Sequence, residues 1–317
     1  MNNSKKMPSV ALGTWSWGVG AVGGNEVFGN HLEETELKPV FETAMEHGLN
    51  LWDTAVVYGM SASERILGAF AKMYPREQLL LSTKFTPQIA GNGADPVAEM
   101  CQGSLERLGT DYIDIYWIHN PADVERWTPF LAPLVQSGKV KQVGVSNHNL
   151  EQIKRAEDIL SKEGVHIAAV QNHYSLLYRS SEQGGILDYC KEHGITFFSY
   201  MVLEQGALSG KYTTQNPMPD GSQRAETYNP ILPQLENLTG VMRGIGAKYG
   251  VDVPQIAIAW AIAKGTTPII GVTKPSHVEA AAQAATLKLT AEEMGMLEQL
   301  AAEAGVDTRG AWENPMA

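Results

Sequence analysis

The chain has 317 residues, of which 44% are hydrophobic and 19% charged, an ordinary globular composition that excludes intrinsic disorder. Its formal net charge is -11 and it carries no Lys/Arg-rich run, so the basic stripe that a nucleic-acid partner requires is missing. No stretch approaches the roughly 18 apolar residues that span a bilayer, and no membrane partner is expected.

Lys5 and Lys6 followed by residues 10–24 imitate a secretory leader, but several glycines and two tryptophans interrupt any continuous apolar core. Cys101 and Cys190 form no CxxC and have no histidine at ligand spacing, so free thiols in a reducing cytoplasm are expected.

In chain order, short β-branched or aromatic runs predict strands over 11–14, 49–53, 79–83, 113–119, 142–146, 168–172, 195–200 and 268–271. Their starts are 26 to 38 residues apart, except for a last gap of 73. That spacing suits a (β/α)8 TIM barrel forming one domain over residues 1–317, with a long insertion between strands 7 and 8. A doubly wound open sheet is the alternative on spacing alone. Between the strands, 35–47 places Leu37, Val40, Phe41, Ala44 and Met45 on one helical face and stops at Gly48. A second helix is predicted over 254–264, with Pro254 in its first turn. The stretch 213–233, rich in Pro, Asn, Gln and Ser, reads as a long loop within the insertion.

Chemistry in such barrels gathers where the strands end. Asp53, Lys84, His119, Ser146, Asn147, Gln171, Asn172 and Tyr200 all fall at those ends. One such residue is commonly a packing accident; a ring of them points to a site. Tyr58 follows Asp53 on the next loop. A phenol of ordinary pKa is a weak acid at neutral pH, and a neighbouring ammonium lowers that pKa. Lys84 would supply the charge, Asp53 would hold Lys84, and His119 would hydrogen-bond a carbonyl oxygen. No serine has a hydrolase setting, and no histidine has metal-ligand spacing.

The run Asp53-Thr54-Ala55-Val56-Val57-Tyr58-Gly59, with Ser63-Glu64-Arg65-Ile66-Leu67-Gly68, resembles the signature of the aldo-keto reductases. Ser82-Thr83-Lys84, Asp111 to His119, Gly144-Val145-Ser146-Asn147, Gln171-Asn172 and Gln205 to Tyr212 extend the likeness from about Leu12 to Leu289. The resemblance implies reduction of an aldehyde or ketone by NADPH, or oxidation of an alcohol in reverse, with NADH as the other possible cofactor. It makes Tyr58 the general acid and base, Lys84 and Asp53 its partners, and His119 the carbonyl-orienting group. Ser146, Asn147 and Gln171 would hold the nicotinamide carboxamide and Tyr200 would stack on the ring, near Asp53. Gly13, Thr14 and Trp15, and Met201, Val202, Leu203, Gln205, Gly206, Leu208, Gly210 and Lys211, would border the pyrophosphate.

Gly271, Thr273, Lys274 and His277 would meet the adenosine 2′-phosphate. There the chain departs from the family pattern, with His277 where many members have arginine, and Ala280 and Ala281 where an acidic–amide pair is usual. Trp17, Phe85 and Asn120, with Tyr58 and His119, are the expected substrate walls. Trp312 would either cover the mouth or pack on the surface, and Trp52 should face the helices.

Gly18-Val19-Gly20-Ala21-Val22-Gly23 is a literal G-x-G-x-x-G, but without a helix opening directly after it the Rossmann reading fails. The dinucleotide expectation stands without this motif, and a flexible loop at the mouth is expected. His31, His47, His148, His166, His173, His193 and His277 are read as mostly surface or helix-end residues. Glu33, Glu34 and Glu36 complement a helix dipole. Two other functions stand against the reductase. A strand-end lysine can form an imine, and some relatives serve as nucleotide-binding regulatory or channel-associated subunits. Oligomeric state is not readable.

Overall fold

The computed structural model describes residues 7–316. Lys5 and Lys6, the start of the leader-like stretch, lie outside them. Eight strands close into one parallel barrel in sequence order: β1 (Ala11–Gly13), β2 (Leu51–Asp53), β3 (Leu80–Phe85), β4 (Ile113–Ile118), β5 (Val140–Ser146), β6 (Ile167–His173), β7 (Thr196–Tyr200) and β8 (Thr267–Gly271). Every predicted strand is present within two residues of its expected ends. The pairing of Ala11 with Ile269 and of Gly13 with Gly271 closes the sheet and rules out the open, doubly wound alternative.

Side chains alternate between two shells, as the two-residue strand period requires. Inside the barrel, Ala11, Leu51, Leu80, Ile115, Trp117, Ala169, Phe198 and Ile269 form one cluster. Outside, Leu12, Trp52, Leu81, Tyr116, Val145 and Ile270 join the helices in the larger one. Trp52 is among these and stacks on Phe41, with centroids 4.7 Å apart. Gly144 faces inward beside Trp117. A Cβ there would lie 2.4 Å from the indole ring, so only glycine lets β4 and β5 keep this layer filled.

The helix Glu34–Glu46 begins with a reciprocal capping box between Glu33 and Glu36. The chain then turns at Gly48 with φ of 70°. The helix Val253–Ala263 also forms where its period predicts it. The 213–233 stretch is not one loop: it holds the helix Gln223–Tyr228 and a 3-10 turn, Asn229–Ile231, and runs into the helix Leu232–Tyr249. Ser222 caps the first of these by accepting from the Ala225 amide, a start signal that the polar composition obscures.

Two residues of the resemblance tie the helix Ala62–Ala71 to the barrel. Ser63 Oγ donates to Thr14, while the fully buried Glu64 accepts from Thr83 Oγ1 at 2.6 Å and from Arg107 Nε at 2.6 Å. Among the described residues, no helix is long and apolar enough to cross a membrane. Replacing Arg107 with Met strands the Glu64 carboxylate in the core. The variant should lose about 3 kcal/mol of unfolding free energy in a denaturant melt, and a loss below about 1 kcal/mol would contradict the structural role.

Candidate active site

At the C-terminal rim the inward positions carry polar groups in place of the apolar layers below. Lys84 is fully buried, two residues from Ser82 on the same face of β3. Its Nζ donates to Asp53 Oδ2 at 2.5 Å and to the Thr54 carbonyl at 2.8 Å, and lies 3.5 Å from Tyr58 Oη. Burial alone would strip its proton, but Asp53 and then Tyr58 reverse that, and the Lys84 pKa is raised. The protonated, bonded amine is not an imine-forming nucleophile.

Asp53 is held from three sides. Its other oxygen accepts from Ser82 Oγ at 2.7 Å and from Gln171 Nε2 at 3.1 Å, and Ser82 in turn accepts from Trp117 Nε1 at 2.6 Å. The buffering role of Ser82 and Trp117 was missed from sequence, although the same strand period that turns Lys84 inward turns both of them inward.

Tyr58 is half-buried and its ring meets His119 edge-on at 6.0 Å. Burial pushes the phenol pKa up, and Lys84 pulls it back only in part. This corrects the expectation of a lowered pKa: desolvation outweighs the ammonium. The His119 pKa is lowered well below 6.5, by burial first and by Lys84 second. Its Nδ1 lies 2.9 Å from Thr86 Oγ1. A Thr86 hydroxyl donating there places the imidazole proton on Nε2, which has no partner among the described residues. Asn120 exchanges side-chain amide bonds with Gln88 at the edge of the mouth.

Beyond the tetrad, Asn147 takes a left-handed backbone with φ of 62°, which turns its amide back to the His119 carbonyl at 2.9 Å and to Ser146 Oγ at 3.2 Å. Met201, Glu204 and Gln205 also adopt positive φ, so the segment after β7, through Val202, Leu203, Gly206, Leu208 and Gly210, is coiled into tight turns. Val202 and Leu208 are buried beneath it. The Gln205 carbonyl approaches Arg224, whose Nε is buried without a partner among the described residues. Lys274 and Lys211 both lower the His277 pKa after burial does, so the segment after β7 approaches the start of the helix Pro275–Ala284, with Thr273 3.3 Å from His277 Nδ1.

Several expectations need correction. Trp17 and Phe85 do not line the mouth. Both are fully buried in the outer shell, Trp17 against Trp52 with its indole donating to the Val272 carbonyl at 2.7 Å, and Phe85 against Trp127. Phe85 follows Lys84 and therefore alternates outward. Trp15 occupies the mouth instead, stacked on Tyr58 at 5.8 Å and edge-on to Phe28. Trp312 lies over it, edge-on at 5.9 Å, with Nε1 3.3 Å from Tyr200 Oη. The glycine-rich loop is a bonded turn packed on Gly59, with Gly20 N donating to Asn25 Oδ1; a five-residue π-helical turn, Gly24–Phe28, follows it directly.

His148 and His173 are not surface residues; both are fully buried. Burial holds His148 down to about 4. His173 sits between two carboxylates, Nε2 2.9 Å from Glu204 and Nδ1 3.0 Å from Glu313. Burial opposes its charge, but Glu204 and then Glu313 prevail and raise its pKa to about 9. No local pattern marks either glutamate, because the cluster joins three distant parts of the chain.

The family model described as "Aldo/keto reductase family" matches residues 9–302. The chloroplastic pyridoxal reductase of Arabidopsis thaliana is 34% identical over 93% of this chain and 83% of its own length. Among solved structures, an aldo-keto reductase of Klebsiella pneumoniae in complex with NADPH has a TM-score of 0.72 at 26% identity, covering 93% of this chain and 91% of that one. The glycerol dehydrogenase of Gluconobacter oxydans has a TM-score of 0.76 at 25% identity, covering 96% and 94%.

Because the folded pKa of His173 is raised, its charge contributes stability that is fully present below pH 6.5 and lost as pH rises through about 9. His173→Gln should flatten the stability curve across that window in denaturant melts. A wild-type slope retained by the variant would contradict the assignment.

Proposed function

The chain belongs to the aldo/keto reductase family, and on that premise we propose that it is an NADPH-dependent oxidoreductase reducing an aldehyde or ketone, with Tyr58 as proton donor. The observation that carries the reading is the buried Lys84 ammonium placed between the Asp53 carboxylate and the Tyr58 hydroxyl. The whole chain acts as one barrel domain, and the small-molecule carbonyl, or an alcohol in the reverse direction, is its partner. The two free, buried thiols, Cys101 and Cys190, suit a reducing cytoplasm.

The residues present fit the cofactor. The unpartnered Arg224 Nε beside the Gln205 turn, and the convergence of Lys211, Lys274 and His277, are what an anionic dinucleotide needs. Lys211, Arg224 and the amides of 205–210, with Gly13, Thr14 and Trp15 across the rim, would hold the pyrophosphate. Gly271, Thr273, Lys274 and His277 would hold a 2′-phosphate, which favours NADPH over NADH. Ser146, Asn147 and Gln171 would hold the carboxamide, and Tyr200 the ring face. When bound, the cofactor supplies a hydride to the carbonyl carbon.

The chain's own residues supply the proton and the orientation. His119 Nε2–H and Tyr58 Oη would both hydrogen-bond the carbonyl oxygen, exposing its carbon. As negative charge gathers on that oxygen, its proton affinity overtakes that of the phenol, and Tyr58 gives up its proton even with a raised pKa. The ammonium of Lys84, 3.5 Å away, then stabilises the phenolate left behind. Trp15, stacked on Tyr58, would shield one side of this pair from water.

Two results are expected. Tyr58→Phe should lower kcat about 10³-fold on a panel of aldehydes while NADPH affinity, read from nicotinamide fluorescence, stays within about threefold. Undiminished turnover would remove Tyr58 from the proposal. Tight NADPH binding by the wild type without turnover on any carbonyl or alcohol would favour a binding subunit instead. Lys274→Met should weaken NADPH about tenfold and leave NADH unchanged; equal losses for both would move the 2′-phosphate elsewhere.

A further inference from the structure

The C-terminal segment 306–316 crosses the mouth and is tied down at the buried Thr308, Glu313 and Met316. Glu313 is 7% exposed, and its carboxylate meets His173 Nδ1 at 3.0 and 3.1 Å. The far side of the imidazole is fixed by Glu204, which also accepts from Tyr228 Oη at 2.8 Å, from Thr308 Oγ1 at 3.0 Å and from Ser175 Oγ. Thr308 and Glu313 thus attach the same segment at both ends of one cluster. With a carboxylate on each ring nitrogen, His173 must carry both protons and act as a donor on each side.

Glu313 has a second partner, Tyr200. The Tyr200 hydroxyl lies 3.0 Å from Glu313 Oε1 and 2.6 Å from Asn147 Oδ1, while Trp312 Nε1 approaches it at 3.3 Å. One hydroxyl has one proton, so the two acceptors compete for it. The Tyr200 ring is also stacked on His173, with centroids 5.6 Å apart. Tyr200, His173 and Glu313 therefore form a single packed and bonded unit, and the rim residue cannot shift without disturbing the tail.

We infer that Glu313 is a positioning residue of the cofactor platform: anchored on His173, it accepts the Tyr200 hydrogen bond, frees the Asn147 amide oxygen for a carboxamide ligand, and pins Trp312 over the mouth. This rests on the placement of the nicotinamide proposed above. Its consequence is a linkage between tail and cofactor. A ligand that draws Asn147 Oδ1 into its own hydrogen bond strengthens the Tyr200–Glu313 bond, and by reciprocity the pinned tail tightens the ligand.

The linkage is read by trypsin, since Arg309 is exposed and cleavage after it releases residues 310–317. In the wild type, NADPH should slow that cleavage about fivefold or more, followed by intact mass. Tyr200→Phe, which removes only the hydroxyl, should abolish the protection although the ring remains to meet the cofactor. Glu313→Ala should weaken NADPH about tenfold, and Glu313→Gln, which keeps an acceptor for Tyr200, should recover most of that loss. Cleavage indifferent to bound NADPH, or protection surviving in Tyr200→Phe, would overturn the inference while leaving the reductase reading intact. Failure of the wild type to bind NADPH would overturn both. If Glu313→Ala does not fold, the wild-type and Tyr200→Phe digests decide the matter alone.

Discussion

A lysine ammonium with no exposure to water, 2.5 Å from the Asp53 carboxylate, is the constraint to which the rest of the barrel mouth answers. Removing an ion pair from water costs several kcal/mol per ion unless every remaining donor and acceptor is satisfied. The structure meets that demand in layers. The Thr54 carbonyl takes a second ammonium proton, Ser82 and Gln171 fill the other Asp53 oxygen, and Trp117 orients Ser82. Gly144 then leaves the room that Trp117 needs. A fold residue and a site residue are here the same residue, because the top polar layer rests directly on the apolar layer beneath it.

The electrostatic consequence concerns the one Lys84 contact left weak. At 3.5 Å the Tyr58 hydroxyl is a poor ground-state partner, and burial raises its pKa. Such a pair stabilises the phenolate far more than the phenol. If Tyr58 is the proton donor as proposed, the ammonium would act mainly once the proton has begun to leave, which is when stabilisation lowers a barrier. The His119 pKa is moved in the opposite direction by the same burial: kept neutral, the imidazole would serve the proposed hydrogen bond to a carbonyl without adding a second cation beside Lys84.

The eight βα units and the strand-end polar residues were legible in the sequence because both follow from periods, about 30 residues per unit and two per strand turn. Spacing left the open sheet as an alternative that the β1–β8 pairing removes. Asp53, Tyr58, Lys84 and His119 do converge. Where reading failed, it failed for identifiable reasons. Phe85 was placed by its nearness in sequence to Lys84, although the strand period sends it outward. Trp17 was placed by its loop, although its indole reaches 255 residues along the chain to the Val272 carbonyl. The helix Gln223–Tyr228 was hidden by polar composition. The His173 cluster was invisible because Glu204 and Glu313 are 31 and 140 residues away, and nothing local marks a carboxylate that will be buried.

All of this makes Asp53 the keeper of the Lys84 charge, and that is the claim to test first. The measurement is the pH dependence of turnover in Asp53→Asn, which keeps the shape of the carboxylate but not its charge. Without that charge, burial dominates Lys84 and its pKa falls, so the basic limb of the profile should move to lower pH by about two units or more, with NADPH affinity nearly unchanged. A basic limb that stays where the wild type has it would show that the Lys84 charge does not depend on Asp53, and would contradict the account.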